Sequence, residues 1–344
     1  MNQGSRIRSA LPQAFHIIDN SAAMWTGDVL QPFAQEELWC RQVGQGMTPI
    51  VHLWRHEKAL VVGLRDRRLP QAEAAMAALR EEGWAVAVRN SGGAAVPLDS
   101  GVLNVSLILP NPAGRMEHHQ DFALMAALLG EVLAPYTGAV KAGEIAGSYC
   151  PGDYDLSIGG RKFCGIAQRR QIRAFVVQAF IVTEGSGEQR GRTARRFYDQ
   201  AAQACSSGED AREGGPQSRT AAASGTGAGS GSGSQVQPLL ASGAEKQDGS
   251  HPQAGGTVRA ATPEKEAALH KEAHYPRVSP QQMASLTELG VPLTAADLSR
   301  RIVSFLEQLG GKSQPERQNG GSQELPAAEV QEMVRQLHQR YDRR

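Results

Sequence analysis

A cysteine and a lysine near the middle of the chain are the side chains that covalent acyl transfer requires. Cys150 stands directly before a Pro-Gly pair, a sequence typical of a tight turn. Lys162 opens the strand that returns from a Gly-Gly hairpin turn. The thiolate form of cysteine is the nucleophile, and a nearby cation lowers the pKa of a thiol. The spacing alone leaves two interpretations of Cys150 open, a nucleophile or a small buried apolar side chain.

Apolar periodicity predicts the elements that must position this pair. Strands are predicted over residues 49–54, 59–63, 84–88, 102–109, 153–158 and 172–183, and helices over residues 69–82 and 119–136. Three short helices are predicted to close the chain, beginning near residues 279, 294 and 327. Strands with few helices between them, followed by helices, favour an α/β (α+β) fold. We expect a mixed, largely antiparallel sheet flanked by helices.

Two other segments contain polar or glycine residues that could border a ligand. Arg89 begins a loop with the adjacent glycines Gly92 and Gly93, which allow positive φ and close approach of the backbone. An ordinary hairpin turn explains these glycines equally well. Asn104 and Ser106 share one face of a predicted strand, where contact with a neighbouring layer is favoured over a place in a pocket.

Composition excludes several classes of protein. The 36 Lys and Arg balance 35 Asp and Glu, so no global charge favours nucleic acid or membrane surfaces. The four cysteines lack the spacing of a zinc site or a disulfide framework. The sequence contains no phosphate-binding or dinucleotide-binding glycine motif. We therefore expect no metal and no cofactor. Because no signal or membrane-spanning segment is apparent, a cytoplasmic location is expected.

The residues from SYCPG through DYDLSI to GRKFCGIAQRR, numbers 148–170, resemble the signature of the lipoate-protein ligase, octanoyltransferase and biotin-protein ligase superfamily. The resemblance spans roughly residues 49–198 and resumes at 275–309. It is greatest with the octanoyl-[GcvH]:protein N-octanoyltransferase branch. The Arg89 loop also resembles the acyl-binding loop of lipoate ligases, although Ala94 stands where that loop has a third glycine. This departure argues against an adenylate-binding role.

The resemblance implies a role for each matching residue. Cys150 would be the nucleophile that holds an octanoyl thioester, and Lys162 would favour its thiolate form and polarise the acyl carbonyl. Arg89, Gly92 and Gly93 would border the acyl chain. Cys164, where relatives have a small residue, is interpreted as a packed core thiol.

The implied reaction moves an octanoyl group from the lysine of octanoyl-GcvH to the lysine of lipoyl domains of 2-oxoacid dehydrogenases. Three alternatives remain: a transferase that uses octanoyl-acyl carrier protein, an ATP-dependent lipoate ligase, and a non-catalytic module that binds acylated carriers. A monomer is the default expectation. A basic cluster that includes Arg169 and Arg170 is interpreted either as a docking surface for acidic carriers or as a solvated strand end.

The resemblance and the composition together divide the chain into five segments. Residues 1–44 are predicted to form an N-terminal edge segment and residues 45–204 the lipoate ligase-like catalytic domain. A segment rich in Gly and Ser, residues 205–261, is predicted to be a disordered insertion. Residues 262–310 are predicted to complete the domain with helices. Residues 311–344 are predicted to be a polar spacer followed by an amphipathic helix.

Overall fold

The computed structural model describes residues 3–114, 118–203, 277–313 and 325–342. Its strands are β1 (Phe15–Asp19), β2 (Ile50–Trp54), β3 (Lys58–Val62), β4 (Ala85–Val88), β5 (Val96–Asp99), β6 (Val102–Pro110), β7 (Lys141–Ala142), β8 (Leu156–Ile158), β9 (Arg161–Arg170), β10 (Ala174–Val182) and β11 (Gly311–Ser313). Its α-helices are α1 (Gln3–Ala10), α2 (Leu30–Gly44), α3 (Ala72–Glu81), α4 (His118–Leu133), α5 (Gly187–Ala201), α6 (Ala295–Gln308) and α7 (Ala327–Leu337). None of these helices is long and apolar enough to span a bilayer.

Eight strands form one sheet in the order β11-β1-β2-β6-β10-β9-β8-β7. Only β1 pairs in parallel there, with β2 and β11, and the other pairings are antiparallel. A smaller sheet, β4-β3-β5, has one parallel and one antiparallel pairing. The predicted mixed, largely antiparallel sheet flanked by helices is therefore confirmed.

The two faces of the large sheet bury different side chains. Because side chains alternate along a strand, Leu103, Val105 and Leu107 of β6 face one way and pack in the core that α4 and α6 cover. Asn104 and Ser106 therefore face the opposite way, toward α2 and the smaller sheet. The functional residues described below lie on this second face.

Helix α2 was absent from the sequence prediction, which assigned residues 1–44 to an N-terminal edge segment without a helix. Its buried side includes two carboxylates, Glu36 and Glu37, which are 1% and 5% exposed. Charged residues at buried positions break the apolar stripe that identifies an amphipathic helix. The helix α5 was missed for a similar reason, because Arg190 occupies a buried position and bonds Asp99.

The predicted strand over 153–158 is shorter in the structure, where only β8 is extended. Residues before it form a turn, in which the Asp155 carboxylate accepts a hydrogen bond from Gly152 N at 3.0 Å. The Gly159-Gly160 pair adopts positive φ and forms the expected hairpin to β9. Asp155 is thereby directed into the protein, with an exposed fraction of 1%.

Two of the predicted C-terminal helices form as the sequence indicates. Thr294 and Asp297 make a capping box at the start of α6. Helix α7 buries Val330, Met333, Val334 and Leu337 against the core that contains α2. The first region instead contains two short 3-10 turns, Pro280–Gln282 and Thr287–Leu289. The predicted disordered insertion, 205–261, lies outside the described residues, and the five-segment division of the chain stays a prediction.

Candidate active site

Cys150 occupies a strained position on its turn. Its φ is 48°, and it is the only non-glycine residue with positive φ in the described part of the chain. This region costs an ordinary side chain roughly 1 kcal/mol or more, and such strain persists only where surrounding contacts hold it. The thiol is 5% exposed. The turn presents the Sγ atom to an adjacent loop while the carbonyl group of the same residue points to β9.

The ammonium of Lys162 holds this turn from β9. Its Nζ donates to the carbonyl oxygens of Cys150 at 2.6 Å and Tyr149 at 2.9 Å, and it forms an ion pair with Asp155 at 2.7 Å. Lys162 is fully buried. Three acceptors thus match the three N–H groups of an ammonium. The sequence left open whether Lys162 and Cys150 meet, and the structure places the bonds of Lys162 on the backbone of the turn.

The Asp155 carboxylate is the buried counter-charge of this lysine. Burial raises the pKa of Asp155 to about 6, against the opposing effects of the Lys162 charge and its hydrogen bond. The 2.7 Å contact with Nζ is that of an ion pair. Asp155 lies in the DYDLSI motif, where no role was expected for it. The sequence did contain a signal for this ion pair, namely an acidic residue seven positions before the lysine on a hairpin.

The Cys150 Sγ atom lies against the loop that follows β4. Ala94 N donates to Sγ at 3.2 Å, and Arg89 Nη2 approaches it at 3.4 Å. Arg89 Nη2 also donates to Ala94 O at 2.8 Å, which fixes the guanidinium within the loop. The loop thus brings one amide and one cation to the sulfur.

Gly93 makes this approach possible. Its φ is 92°, and a Cβ atom there would lie 2.4 Å from Arg89 Nη2 and 2.9 Å from Cys150 Sγ. A side chain at Gly93 would therefore displace the sulfur or the guanidinium. The resemblance implies that the glycines border the acyl chain, which stays a prediction. The structure shows that Gly93 lies beside the thiol.

Cys150 lies where an enclosed cavity meets an open cleft. The inner cavity is a narrow space with a volume of about 20 Å³. Its walls are mostly apolar near the cysteine and include Gly165, Ala167, Phe180, Val61 and Val96. A chain attached to Sγ could therefore extend into an apolar space.

The open cleft lies on the other side of the sulfur. It is lined by Gly92, Gly93, Phe122, Cys150, Pro151, Ile166, Ala167, Gln168 and Arg170. Gly92 is held against β9, because its amide donates to Gln168 O at 3.1 Å. A lysine side chain arriving from a partner protein could reach Sγ through this cleft.

Two further described cysteines lie in different surroundings. Burial and the charge of Glu37 raise the pKa of Cys40 to about 12. Burial holds the pKa of Cys164 well above its usual range, and this thiol has no exposed surface. Neutral buried thiols are poor nucleophiles. Cys164 is thus a packed core thiol, as the sequence indicated.

The two arginines expected to dock a carrier protein are paired within the chain. Arg169 bonds Glu37 through Nε at 3.1 Å and Nη2 at 3.3 Å. Arg170 forms an ion pair with Asp121 of α4. Their charges are therefore partly compensated, and only Arg170 lines the open cleft.

Asn104 and Ser106 line the inner cavity, the option that the sequence did not favour. Ser106 also contacts a neighbouring layer, as expected, because its hydroxyl donates to Glu36 of α2 at 2.7 Å. Asn104 donates to Trp54 O at 3.4 Å.

Comparison with known proteins agrees with this geometry. The lipoyl protein ligase A/B catalytic domain family matches residues 28–211, more than half of the 344 residues. An octanoyl-[GcvH]:protein N-octanoyltransferase of Geobacillus kaustophilus is 47% identical over 186 residues, which cover 54% of this chain and 66% of that protein. The chain thus spans slightly less than two thirds of that relative. A protein of the same name from Oceanobacillus iheyensis is 32% identical over 303 residues, covering 86% of this chain and 85% of the relative.

A solved structure of lipoate-protein ligase A bound with ATP shares the fold. It superposes with a TM-score of 0.55 over 96% of this chain and 97% of that one, at 12% identity. This likeness concerns the fold alone. The extent of the family match and the identity with the Oceanobacillus relative establish that this chain belongs to the lipoyl protein ligase A/B catalytic domain family.

Proposed function

We propose that this protein is an octanoyltransferase that carries the acyl group on Cys150 between two lysine residues. The single observation that supports this most is the place of the Sγ atom, which lies between an enclosed apolar cavity and an open cleft. The cavity offers an acyl chain a dry space, and the cleft offers a path for a lysine. The relatives named octanoyl-[GcvH]:protein N-octanoyltransferase support the same function.

In the first step, the Cys150 thiolate attacks the carbonyl carbon of an octanoyl-lysine amide. A C–S bond forms, the C–N bond breaks, and the donor lysine leaves as an amine after it takes up a proton. Ala94 N and the Arg89 guanidinium already contact Sγ, so they are close to the carbonyl oxygen as it gains charge.

In the second step, the neutral amine of an acceptor lysine attacks the thioester. The C–N bond forms, the C–S bond breaks, and the nitrogen loses a proton as the thiolate is restored. One amide replaces another, so the exchange needs no ATP. Burial of the eight-carbon chain, at roughly 0.8 kcal/mol per methylene, offsets part of the cost of the thioester.

We assign Lys162 chiefly a positioning role. Its bonds to the carbonyl oxygens of Tyr149 and Cys150 support the strained turn that directs Sγ to the loop. The expectations that Lys162 favours the thiolate form of Cys150 and that it polarises the acyl carbonyl stay predictions.

The donor is proposed to be octanoyl-GcvH, and the acceptors are proposed to be lipoyl domains of 2-oxoacid dehydrogenases. We place the approach of the carriers at the open cleft, near Arg170. The monomeric state and the cytoplasmic location stay predictions.

Intact mass spectrometry distinguishes the donors. After incubation with octanoyl-GcvH in the absence of ATP, we expect one octanoyl group to be added to the protein. An adduct with octanoyl-acyl carrier protein alone would indicate the alternative transferase. Acceptor octanoylation that requires ATP and free octanoate would indicate a ligase, and donor binding without any adduct would indicate a carrier-binding module.

The rate of thioester formation should fall as the pH drops below about 6. The folded-state pKa of Asp155 is raised to about 6, so its carboxyl gains a proton there while the same group in an unfolded chain is still ionised. Protonation removes the counter-charge of Lys162 and weakens the support of the Cys150 turn. Stopped-flow thioester kinetics between pH 5 and 8 would measure the inflection.

Asp155→Asn is the matched variant for this pH dependence, because its neutral side chain resembles the protonated acid. We expect a reduced rate at pH 7.5 and no inflection near pH 6 in this variant. An unchanged inflection in Asp155→Asn would assign the titration to another group.

A further inference from the structure

The inner cavity runs across the strands of the large sheet. One row of residues lies directly opposite one another on four neighbouring strands. It consists of Ala167 on β9, Gln178 on β10, Ser106 on β6 and His52 on β2. A second row, Gly165, Phe180, Asn104 and Trp54, lies two residues away on the same strands and the same face. Apart from His52, both rows line the cavity. The residues that line the cavity are thus small and apolar on β9 and polar on β6.

Its polar end is organised by the buried carboxylate of Glu36. The Oε1 atom accepts from Trp54 Nε1 at 3.1 Å and Ser106 Oγ at 2.7 Å, and it lies 3.0 Å from His52 Nδ1. The Oε2 atom accepts from Gln178 Nε2 at 2.5 Å. Ser106 and Gln178 therefore have their positions fixed by α2. Gln178 Oε1 is buried and lacks a hydrogen-bond partner among the described residues.

The length of the apolar part can be read from the sheet. Cys150, Ile166 and Ala167 line both the cavity and the open cleft, so the mouth of the cavity lies at β9. Neighbouring strands are about 4.8 Å apart, which puts Ser106 about 10 Å from Ala167 across β10. With C–C bonds of about 1.5 Å, an extended eight-carbon chain is roughly 9 Å long. Such a chain ends near Ser106. The backbone of Gln178 is one strand closer, on β10, but its amide lies at the same end as Ser106, because the two side chains bond the two oxygens of the Glu36 carboxylate.

We infer that Ser106 and Gln178 set the upper length of the acyl chain that the site accepts, which rests on the proposed function and deepens it. A saturated chain of ten or more carbons would place its apolar end against these two polar side chains. It would also exclude water from Gln178 Oε1, which has no other hydrogen-bond partner among the described residues. A chain of eight carbons or fewer stops before them. Because both side chains bond the buried Glu36, they cannot swing away to make room.

Two variants test this length limit. Ser106→Ala removes the hydroxyl and leaves three donors on Glu36, and Gln178→Met replaces the amide with an apolar chain of similar length. Thioester formation is measured by intact mass with octanoyl, decanoyl and dodecanoyl donors on the same carrier. We expect the wild type to load octanoyl at least about tenfold faster than decanoyl. Both variants should lower this discrimination by about tenfold.

Ser299→Ala is the matched control. Ser299 is 2% exposed and donates to the Asp19 carboxylate at 2.8 Å, so it too is a buried serine bonded to an acid, but in the core remote from the cavity. This variant should keep the wild-type discrimination. Equal loading of octanoyl and dodecanoyl by the wild type would overturn the inference, as would unchanged discrimination in both folded variants.

A binding measurement separates this inference from the proposed function. Isothermal titration with hexanoate, octanoate, decanoate and dodecanoate tests the cavity without any transfer step. A drop in affinity beyond eight carbons that Ser106→Ala removes would support the length limit, even if no thioester forms with any donor. In that case the proposed transfer alone would be wrong. Affinity that rises steadily to dodecanoate in the wild type would exclude the limit.

Discussion

Replacement of Cys150 by serine is expected to abolish the octanoyl adduct and to lower transfer between carriers by at least about a thousandfold. A serine hydroxyl does not readily form an anion, whereas the thiolate of a cysteine is an anion that Ala94 N and Arg89 can stabilise. Among the described residues, no general base contacts Sγ and could activate a hydroxyl there. Intact mass and a gel assay of acceptor octanoylation would measure the two losses. The fold should be retained, because serine differs from cysteine by one atom.

Cys164→Ala is the control for this loss. Cys164 is fully buried beside the same hairpin, and burial keeps its pKa well above the usual range. We expect this variant to form the adduct at close to the wild-type rate. An adduct that persists in Cys150→Ser and disappears in Cys164→Ala would exchange the roles of the two thiols. An adduct unaffected by either change would place the acyl group elsewhere.

The Lys162→Met substitution is expected to lower the free energy of unfolding by about 3–5 kcal/mol. It leaves the Asp155 carboxylate, 1% exposed, without its counter-charge, and it removes the donor to two buried carbonyl oxygens. Chemical denaturation at pH 7.5 would measure the loss. Because the turn of Cys150 also loses its support, thioester formation should fall even under conditions where the variant is folded.

A double-mutant cycle separates charge from packing at this pair. Lys162→Met combined with Asp155→Asn removes both charges, so the double variant should be less destabilised than the sum of the single changes. Thioester formation should stay low, since neutralising Asp155 does not restore the bonds to the Cys150 carbonyl. A loss below about 1 kcal/mol in Lys162→Met would contradict a buried ion pair that supports the turn.

The sequence by itself was sufficient to predict the central strands and to identify the family. The alternation in β6 and the Gly-Gly hairpin before β9 are local signals, since side-chain direction and turn conformation depend on adjacent residues. The motif around Cys150 and Lys162 resembles the family closely enough to name both residues. The structure then placed them next to each other on the turn and on β9.

Helix α2 could not be predicted in the same way. Its buried face carries Glu36 and Glu37, and in a sequence pattern glutamate residues predict a face exposed to solvent. Their burial is stable because partners on β2, β6, β9 and β10 satisfy the carboxylates, and these partners are up to 142 residues away in sequence. A local pattern contains no information about such partners.

Only the tertiary structure decided what touches the sulfur and where the cavity ends. Arg89 meets Cys150 across 61 residues, and Ser106 meets Glu36 across 70. Contacts of this kind depend on the register of strands and on the packing of a helix against a sheet, which the chain fixes only when it folds as a whole. The sequence therefore determined the residues available for the proposed acyl transfer. Folding determined that Lys162 bonds the backbone of the turn, and that polar side chains of β6 and β10 line the cavity.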